Sequence, residues 1–361
     1  MKILIVQDHL RSGGTERQSI LLARAFTAAG HPTTLLTFRP GGALARELTG
    51  VTHRILAPFD FGLDWFAPGL LRTISALSPD VVLCMGRMAN CHAGFIQRRF
   101  PRLAVVGTMR TGKPLPWLFR RSLRRVRHVV ANSHAAKQTL TTTLALPAGQ
   151  ITVIHNSLVF PAAPAEERDE ALRTRHGAGP GTVVLLCVAM FRFRKNQREL
   201  IEIAAGLSGR LDWQLWFAGD GETRPECERL VRSHQLGPRV KFLGWLRDPS
   251  PVYLAADIAV HTSRSESLSN FVIEAQAHGL PAVVYDAQGI GECFLPEDTG
   301  FVIPRGDQTA FRDVINRLAG ATPAERLDRA ERARVYASST FDPQRHVRDH
   351  LELFSRLTAA G

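Results

Sequence analysis

The sequence predicts two α/β domains of the doubly wound kind, each a parallel sheet with helices on both faces. Three observations carry that expectation. Short apolar, β-branched runs alternate with helical stretches along the chain, the alternation breaks once near the middle, and 361 residues is twice or more a common domain length of about 100–200.

In the first half the expected strands are KILIV (2–6), TTLLTF (33–38), VVLC (81–84), LAVVGT (103–108), HVVA (128–131) and ITVI (151–154). The helix after the first of them, TERQSILLARAFTAAG, has an apolar side at Ile20, Leu21, Leu22, Ala23 and Phe26, and Gly30 ends it. The charged, proline-containing stretch 159–181 then reads as a break between domains. A second alternation follows, with strands expected at 182–189, 213–219, 240–244, 257–262, 281–286 and 300–304. The expected organisation is a first domain over 1–160, a linker over 161–181 and a second domain over 182–340. Residues 341–361 are expected as a helix returning toward the first domain, and the two sheets are expected to face one another across a cleft.

Composition narrows the function. Hydrophobic residues make up 45% and charged residues 22%, as in an ordinary globular protein. No apolar run reaches the ~18 residues of a membrane span, and the N-terminal apolar run is too short for a secretory signal, so a cytoplasmic protein is expected. The five cysteines are scattered without C-x-x-C spacing, against a disulfide framework or a zinc site. The net charge of +12 is lopsided: residues 1–165 hold 20 Lys and Arg against 6 Asp and Glu, the remainder 25 against 27. The first half should therefore be drawn to a phosphate-bearing or otherwise anionic partner. Within it, PLPWLFRRSLRRVRHVV (114–130) reads as a cationic helix with a stripe of Phe119, Leu123, Val126 and Val130, suited either to an anionic membrane surface or to packing on the sheet with a solvated arginine face. No RNA- or DNA-binding module is recognisable, and no nucleic-acid partner is expected.

Ligands of open parallel sheets sit at the carboxyl ends of strands. After the first strand comes RSGGTERQ, where Gly13 and Gly14 allow close approach and a helix N-terminus favours an anion. After 182–189 comes MFRFRKNQREL, whose Arg192, Arg194 and Lys195 precede a helix, a placement the macrodipole disfavours unless an anion shares it. GDG (219–221) follows the next strand. SRSESLSNFVIEAQAHGLP (263–281) places Glu266 in a polar loop and Glu274 inside an apolar helix capped by Ser269 or Asn270, where a carboxylate needs a partner such as a sugar hydroxyl. DAQGIGE brings Gly289, Gly291 and Glu292 behind a further strand.

Taken together these residues resemble the retaining glycosyltransferases of family 4, which have the GT-B fold. Glu266 and Glu274 have the separation of that family's E-x7-E signature, and SGGTER, ANS (131–133), IHNS (154–157), RK (194–195), AGDG, VKFLGW and DAQGIGE follow in the family's order. The resemblance covers almost the whole chain and implies transfer from a nucleotide-diphosphate sugar, with UDP the expected nucleotide. Glu274 would bind the ribose, while Glu266 and the amides of Ser267, Leu268, Ser269 and Asn270 would face sugar and diphosphate. Arg194 and Lys195 would neutralise the leaving diphosphate, in place of a metal or other cofactor. Gly219, Asp220, Leu243, Trp245, Arg192 and Glu292 would complete the donor contacts, and Gly13, Gly14 and Glu16 would close over them. The acceptor implied is a cell-envelope glycan, lipopolysaccharide or lipid-linked intermediate. Three positions depart from the family pattern: Met190 replaces a common arginine, Ser267 a common glycine, and Arg110 stands where a histidine near the transferred sugar is usual, which makes it the catalytic candidate of the first domain. A sugar-nucleotide epimerase of the same fold is the competing expectation.

Overall fold

The structure, a computed structural model, describes residues 1–11, 13–59, 66–158, 168–207, 209 and 211–359. It divides into two units: Met1–Val159 together with Pro343–Gly361, and Phe160–Asp342.

The first unit is built on β1 (Ile3–Gln7), β2 (Thr33–Thr37), β3 (Thr52–Ile55), β4 (Val81–Cys84), β5 (Ala104–Met109), β6 (His128–Ala131) and β7 (Ile151–Val153). All pair in parallel, in the order β3-β2-β1-β4-β5-β6-β7. The inner strands β1, β4 and β5 read as largely apolar runs because both faces are covered. Leu4 and Val6 point into a core shared with α2 (Leu70–Leu77), α3 (Arg87–Arg99), α4 (Trp117–Leu123) and α5 (His134–Leu144). Ile3 and Ile5 point the other way, toward α1 (Gly14–Ala28) and the last helix of the chain, α13 (Pro343–Ala359). There Phe26 meets Phe354 edge-on at 5.7 Å. Strand β3 has no counterpart among the expected strands. It lies at the sheet edge with three of its four residues exposed, so THRI carries no apolar run.

The second unit has β8 (Val183–Val188), β9 (Trp213–Ala218), β10 (Val240–Gly244), β11 (Ile258–His261), β12 (Ala282–Tyr285) and β13 (Gly300–Ile303), again parallel, in the order β10-β9-β8-β11-β12-β13. Its helices are α6 (Glu170–Arg175), α7 (Gln197–Ala205), α8 (Arg224–Ser233), α9 (Ser250–Ala255), α10 (Asn270–Ala277), α11 (Gln308–Ala319) and α12 (Pro323–Thr340). The strand order reverses between β8 and β11, and the loops leaving those two strands lead into α7 and α10. That switch point is where such sheets hold ligands.

Two local readings need correction. The stretch 161–181 is not linker throughout: residues 161–167 lie outside the described residues, but α6 forms beyond them. Arg173 of α6 is fully buried and donates to Ala255 O at 2.8 Å and Asp257 Oδ2 at 3.0 Å, which ties it into the second unit. The cationic helix expected over 114–130 is only the seven residues of α4. Val126 lies beyond it and Val130 is in β6, because the apolar stripe belongs to the sheet core rather than to one helix face. All five cysteines are free and buried.

Candidate functional site

At the switch point of the second unit, the loop after β11 carries Glu266 back against the loop after β8. Thr262 Oγ1 donates to Asn196 O at 2.8 Å and Arg264 N to Arg194 O at 2.8 Å, which stitches the two loops together. Lys195 Nζ then lies 2.5 Å from Glu266 Oε1, and His261 Nε2 lies 2.9 Å from the same oxygen. Burial alone would raise the Glu266 pKa, but the Lys195 charge and the His261 hydrogen bond outweigh it and hold the carboxyl well below its usual range. Burial lowers the pKa of His261, partly offset by Glu266. The imidazole is therefore neutral, carrying its proton on the nitrogen that faces the carboxylate.

Ser267, Leu268 and Ser269 are buried beside it, and the α10 N-cap at Ser269 makes no side-chain cap bond. Glu274 sits in the second turn of α10, 6% exposed, and accepts a hydrogen bond from Tyr253 Oη at 2.9 Å. The Tyr253 ring stacks on His278 at 4.8 Å. Glu266 and Glu274 thus have different neighbours, one facing a cation and the other a phenol.

Arg192 and Arg194 are exposed, while Lys195 is half-buried. Gly219 and Gly221 have φ of 143° and 151°, and a Cβ there would come within 2.1 Å of Ala189 O and 2.4 Å of Phe191 O. What approaches these glycines is the chain's own backbone, so GDG supports the loop that carries Arg192 to Lys195. Asp220 is exposed beside Arg224 at 3.6 Å. Leu243 is half-buried at the end of β10, and Trp245 is 45% exposed. Glu292 lies in a single 3-10 turn after β12, and its carbonyl accepts from Tyr336 Oη at 2.9 Å.

In the first unit Gly13 and Gly14 lead into α1. A Cβ on Gly13 would meet Glu16 Oε2 at 2.3 Å, so Glu16 folds back over the turn and reaches His9 Nδ1 at 3.3 Å. That bond raises the His9 pKa. Asp8 accepts from Met88 N and Ala89 N at 2.9 and 2.7 Å and caps α3, although burial pushes its pKa up. Arg110, just after β5, donates through Nη1 to Asn156 Oδ1 at 2.7 Å, while its Nε and Nη2 are buried without a partner among the described residues. Burial pulls the guanidinium down to about 10, which still leaves it charged at neutral pH. His346 and His350 of α13 stack edge-on at 4.6 Å and feel the Arg110 charge. Burial is the larger cause that holds the first well below its ordinary pKa and the second at about 3.

His261, Tyr253 and Asn156 were not foreseen from sequence. His261 did leave a signal, as a polar residue in the otherwise apolar strand IAVH five positions before Glu266.

Comparison with known proteins bears on both halves. Residues 182–320 match the family described as glycosyl transferases group 1, and residues 12–158 the family described as Glycosyltransferase Family 4. Each half of the chain is thus similar to a glycosyltransferase domain family. Among curated proteins, 178 residues are 32% identical to the putative glycosyltransferase EpsD of Bacillus subtilis, covering 48% of this chain and 46% of that one. The lipopolysaccharide core biosynthesis glycosyltransferase LpsE of Rhizobium meliloti is 30% identical over 172 residues, or 48% and 49% of the two chains. The chain spans about half the length of the curated relatives it matches. Among solved structures, Anabaena Alr3699/HepE in complex with UDP superposes with a TM-score of 0.83 and 22% identity over 99% of this chain and 100% of that one. The fold is GT-B.

Proposed function

We propose that the protein is a retaining glycosyltransferase that moves a sugar from a nucleotide diphosphate, UDP foremost, to an acceptor of the cell envelope. The observation that carries this reading is the ionised Glu266 held between Lys195 and His261 at the switch point of the second sheet. Glu266 and the turn 267–270, buried through Ser269, face the sugar and diphosphate. Glu274 takes the ribose hydroxyls, with Tyr253 fixing its second oxygen. The C1–O bond to the diphosphate breaks while the acceptor oxygen bonds C1 from the same face and passes its proton to the departing phosphate oxygen. Lys195 and Arg194 meet the negative charge that develops on that oxygen, the kind of preorganised stabilisation that needs no metal. A hydrolase pair needs carboxyls about 5–9.5 Å apart across one glycosidic bond, whereas Glu266 and Glu274 serve opposite ends of one donor.

Several solved neighbours, including Anabaena Alr3699/HepE, were determined with UDP, and LpsE is named for lipopolysaccharide core biosynthesis. These names support the choice of nucleotide and acceptor class. The excess cations of the first unit serve an anionic acceptor or the membrane that carries it. Trp117, 67% exposed, and Arg121, stacked 5.5 Å from its ring, form the edge that would touch a lipid surface. No helix among the described residues is long and apolar enough to cross a membrane.

Proton NMR of a UDP-sugar incubated with the protein tests the reaction. Slow donor hydrolysis releasing the sugar first in the donor's own anomeric form is the expected outcome. Release of the opposite anomer would contradict retention, and an epimerised sugar nucleotide would identify an epimerase.

A further inference from the structure

At the amino ends of the second sheet, the edge opposite the Glu266 loop, lies a cavity of about 220 Å³. Its floor is apolar, formed by Val183, Leu254, Ile258, Leu280 and Leu318, with Leu327 on the rim 70% exposed. Four arginines also line it: Arg168, Arg326, Arg329 and Arg334. The lining has one carboxylate, Asp257, and that group is already engaged by Arg168 at 2.8 Å, Arg173 at 3.0 Å and the amide of Val184 at 2.7 Å. Arg326 donates to the carbonyls of Ala319 and Ala321 and Arg329 to that of Asp298. Arg334 reaches Glu331 Oε2 at 3.5 Å on the exposed side of α12, and the Asp298 and Glu325 carboxylates act on Arg329 from outside the lining, so the lining itself keeps four guanidiniums against one carboxylate. Apolar floor and surplus positive charge are thus combined in one small space. The volume falls below the roughly 300–1,000 Å³ of sites that enclose drug-sized ligands, so it suits one chain rather than a nucleotide.

We propose that this pocket binds a single-chain lipid phosphate, with the alkyl chain on the apolar floor and the phosphate monoester under Arg326, Arg329 and Arg334. Guanidinium groups clamp phosphate oxygens in pairs, and burial of the chain supplies the remainder. The pocket has a route to the donor site. Tyr253 forms part of its wall and donates its hydroxyl to Glu274 Oε2 at 2.9 Å. A chain pressed against Tyr253 therefore changes how Glu274 is held, and by reciprocity nucleotide binding changes lipid binding by the same factor. This coupling, unlike the pocket, rests on the donor-binding role proposed for Glu274.

Calorimetric titration with dodecyl phosphate below its micelle concentration tests the proposal. Saturable binding of one molecule per chain is expected, with inorganic phosphate and dodecyl maltoside each at least tenfold weaker. The double variant Leu327→Asp/Arg334→Glu alters exposed rim residues and should fold, as thermal melting would check, yet lose at least tenfold in affinity. Equal binding of dodecyl maltoside, or unchanged affinity in the folded double variant, would overturn the site. In the same cell, UDP affinity should change at least threefold when dodecyl phosphate is bound, and not at all in Tyr253→Phe. No change in the wild type would remove the coupling. Failure of UDP to bind would instead sink the donor-site reading and leave the amphiphile titration to decide the pocket.

Discussion

The carboxyl ends of both sheets hold buried acids on fixed partners, Asp8 and Glu16 in the first unit among them, but they differ in how they treat a buried cation. In the second unit Glu266 is met by Lys195 and His261, and Glu274 by Tyr253, so each acid has a fixed partner. In the first unit Arg110 has Asn156 for one nitrogen while Nε and Nη2 find nothing among the described residues, and the neighbouring histidines of α13 are held neutral. A buried polar group left unpaired costs about 1–3 kcal/mol, more for a charged one. Buried charge at the second switch point is thus paired within its own unit, whereas Arg110 in the first leaves two guanidinium nitrogens unpaired among the described residues. This matches the sequence asymmetry, which puts the whole net charge in the first half.

The sharpest way to break the comparison is to unpair the second unit. Glu266→Gln leaves Lys195 without its carboxylate, and transfer should fall by about 100-fold or more, the scale of losing a positioned charged group in the reaction centre. Steady-state rates with a UDP-sugar would show it as a loss in kcat, and an unaltered kcat would remove Glu266 from the chemistry. Glu274→Gln keeps the shape but weakens the acceptor offered to hydroxyl groups. It should raise the donor Kd about tenfold, with a smaller change in kcat, as equilibrium titration with UDP would report.

His261→Leu should have a smaller effect of a different kind. His261 positions Glu266 and helps hold it ionised, so its loss should slow transfer only several-fold but move the acid limb of the kcat–pH profile upward. His261→Gln, which can still donate a hydrogen bond, should restore most of the rate. An unshifted acid limb in both variants would make His261 packing and nothing more.

How much of this was readable beforehand follows from what each feature demands of local sequence. The buried parallel strands announced themselves through β-branched runs, and both loops at the second switch point were found because they follow strands. Strand β3 was invisible because a sheet edge needs no apolar run. The GDG glycines were read as room for a ligand, but their φ values serve the chain's own loop, and only coordinates separate the two uses. The Tyr253–Glu274 and Arg110–Asn156 bonds join residues 21 and 46 positions apart, and no local pattern encodes such pairings. The α4 stripe misled because apolar residues of a helix and of the following strand fell by chance into one period.

The histidines of the first unit provide the smallest and most specific test. His350 titrates at about 3 in the fold against an ordinary 6.5, because burial and the Arg110 charge oppose its protonation. The unfolded chain takes up this proton below pH 6.5 while the folded one does not. The stability that His350 permits is thus complete above pH 6.5 and drains away as pH falls toward 3, by about 1.4 kcal/mol per pH unit. His350→Phe keeps a ring between Phe26 and Phe354 and removes the proton uptake. Relative to wild type, the variant should gain about 2 kcal/mol of first-unit stability between pH 7.5 and pH 5. Hydrogen exchange of peptides from α1 and α13 would read the change locally, with the second unit as internal reference. Parallel pH curves for the two proteins would mean that His350 already carries its proton in the fold, and the contrast between a paired and an unpaired sheet end would lose one of its supports.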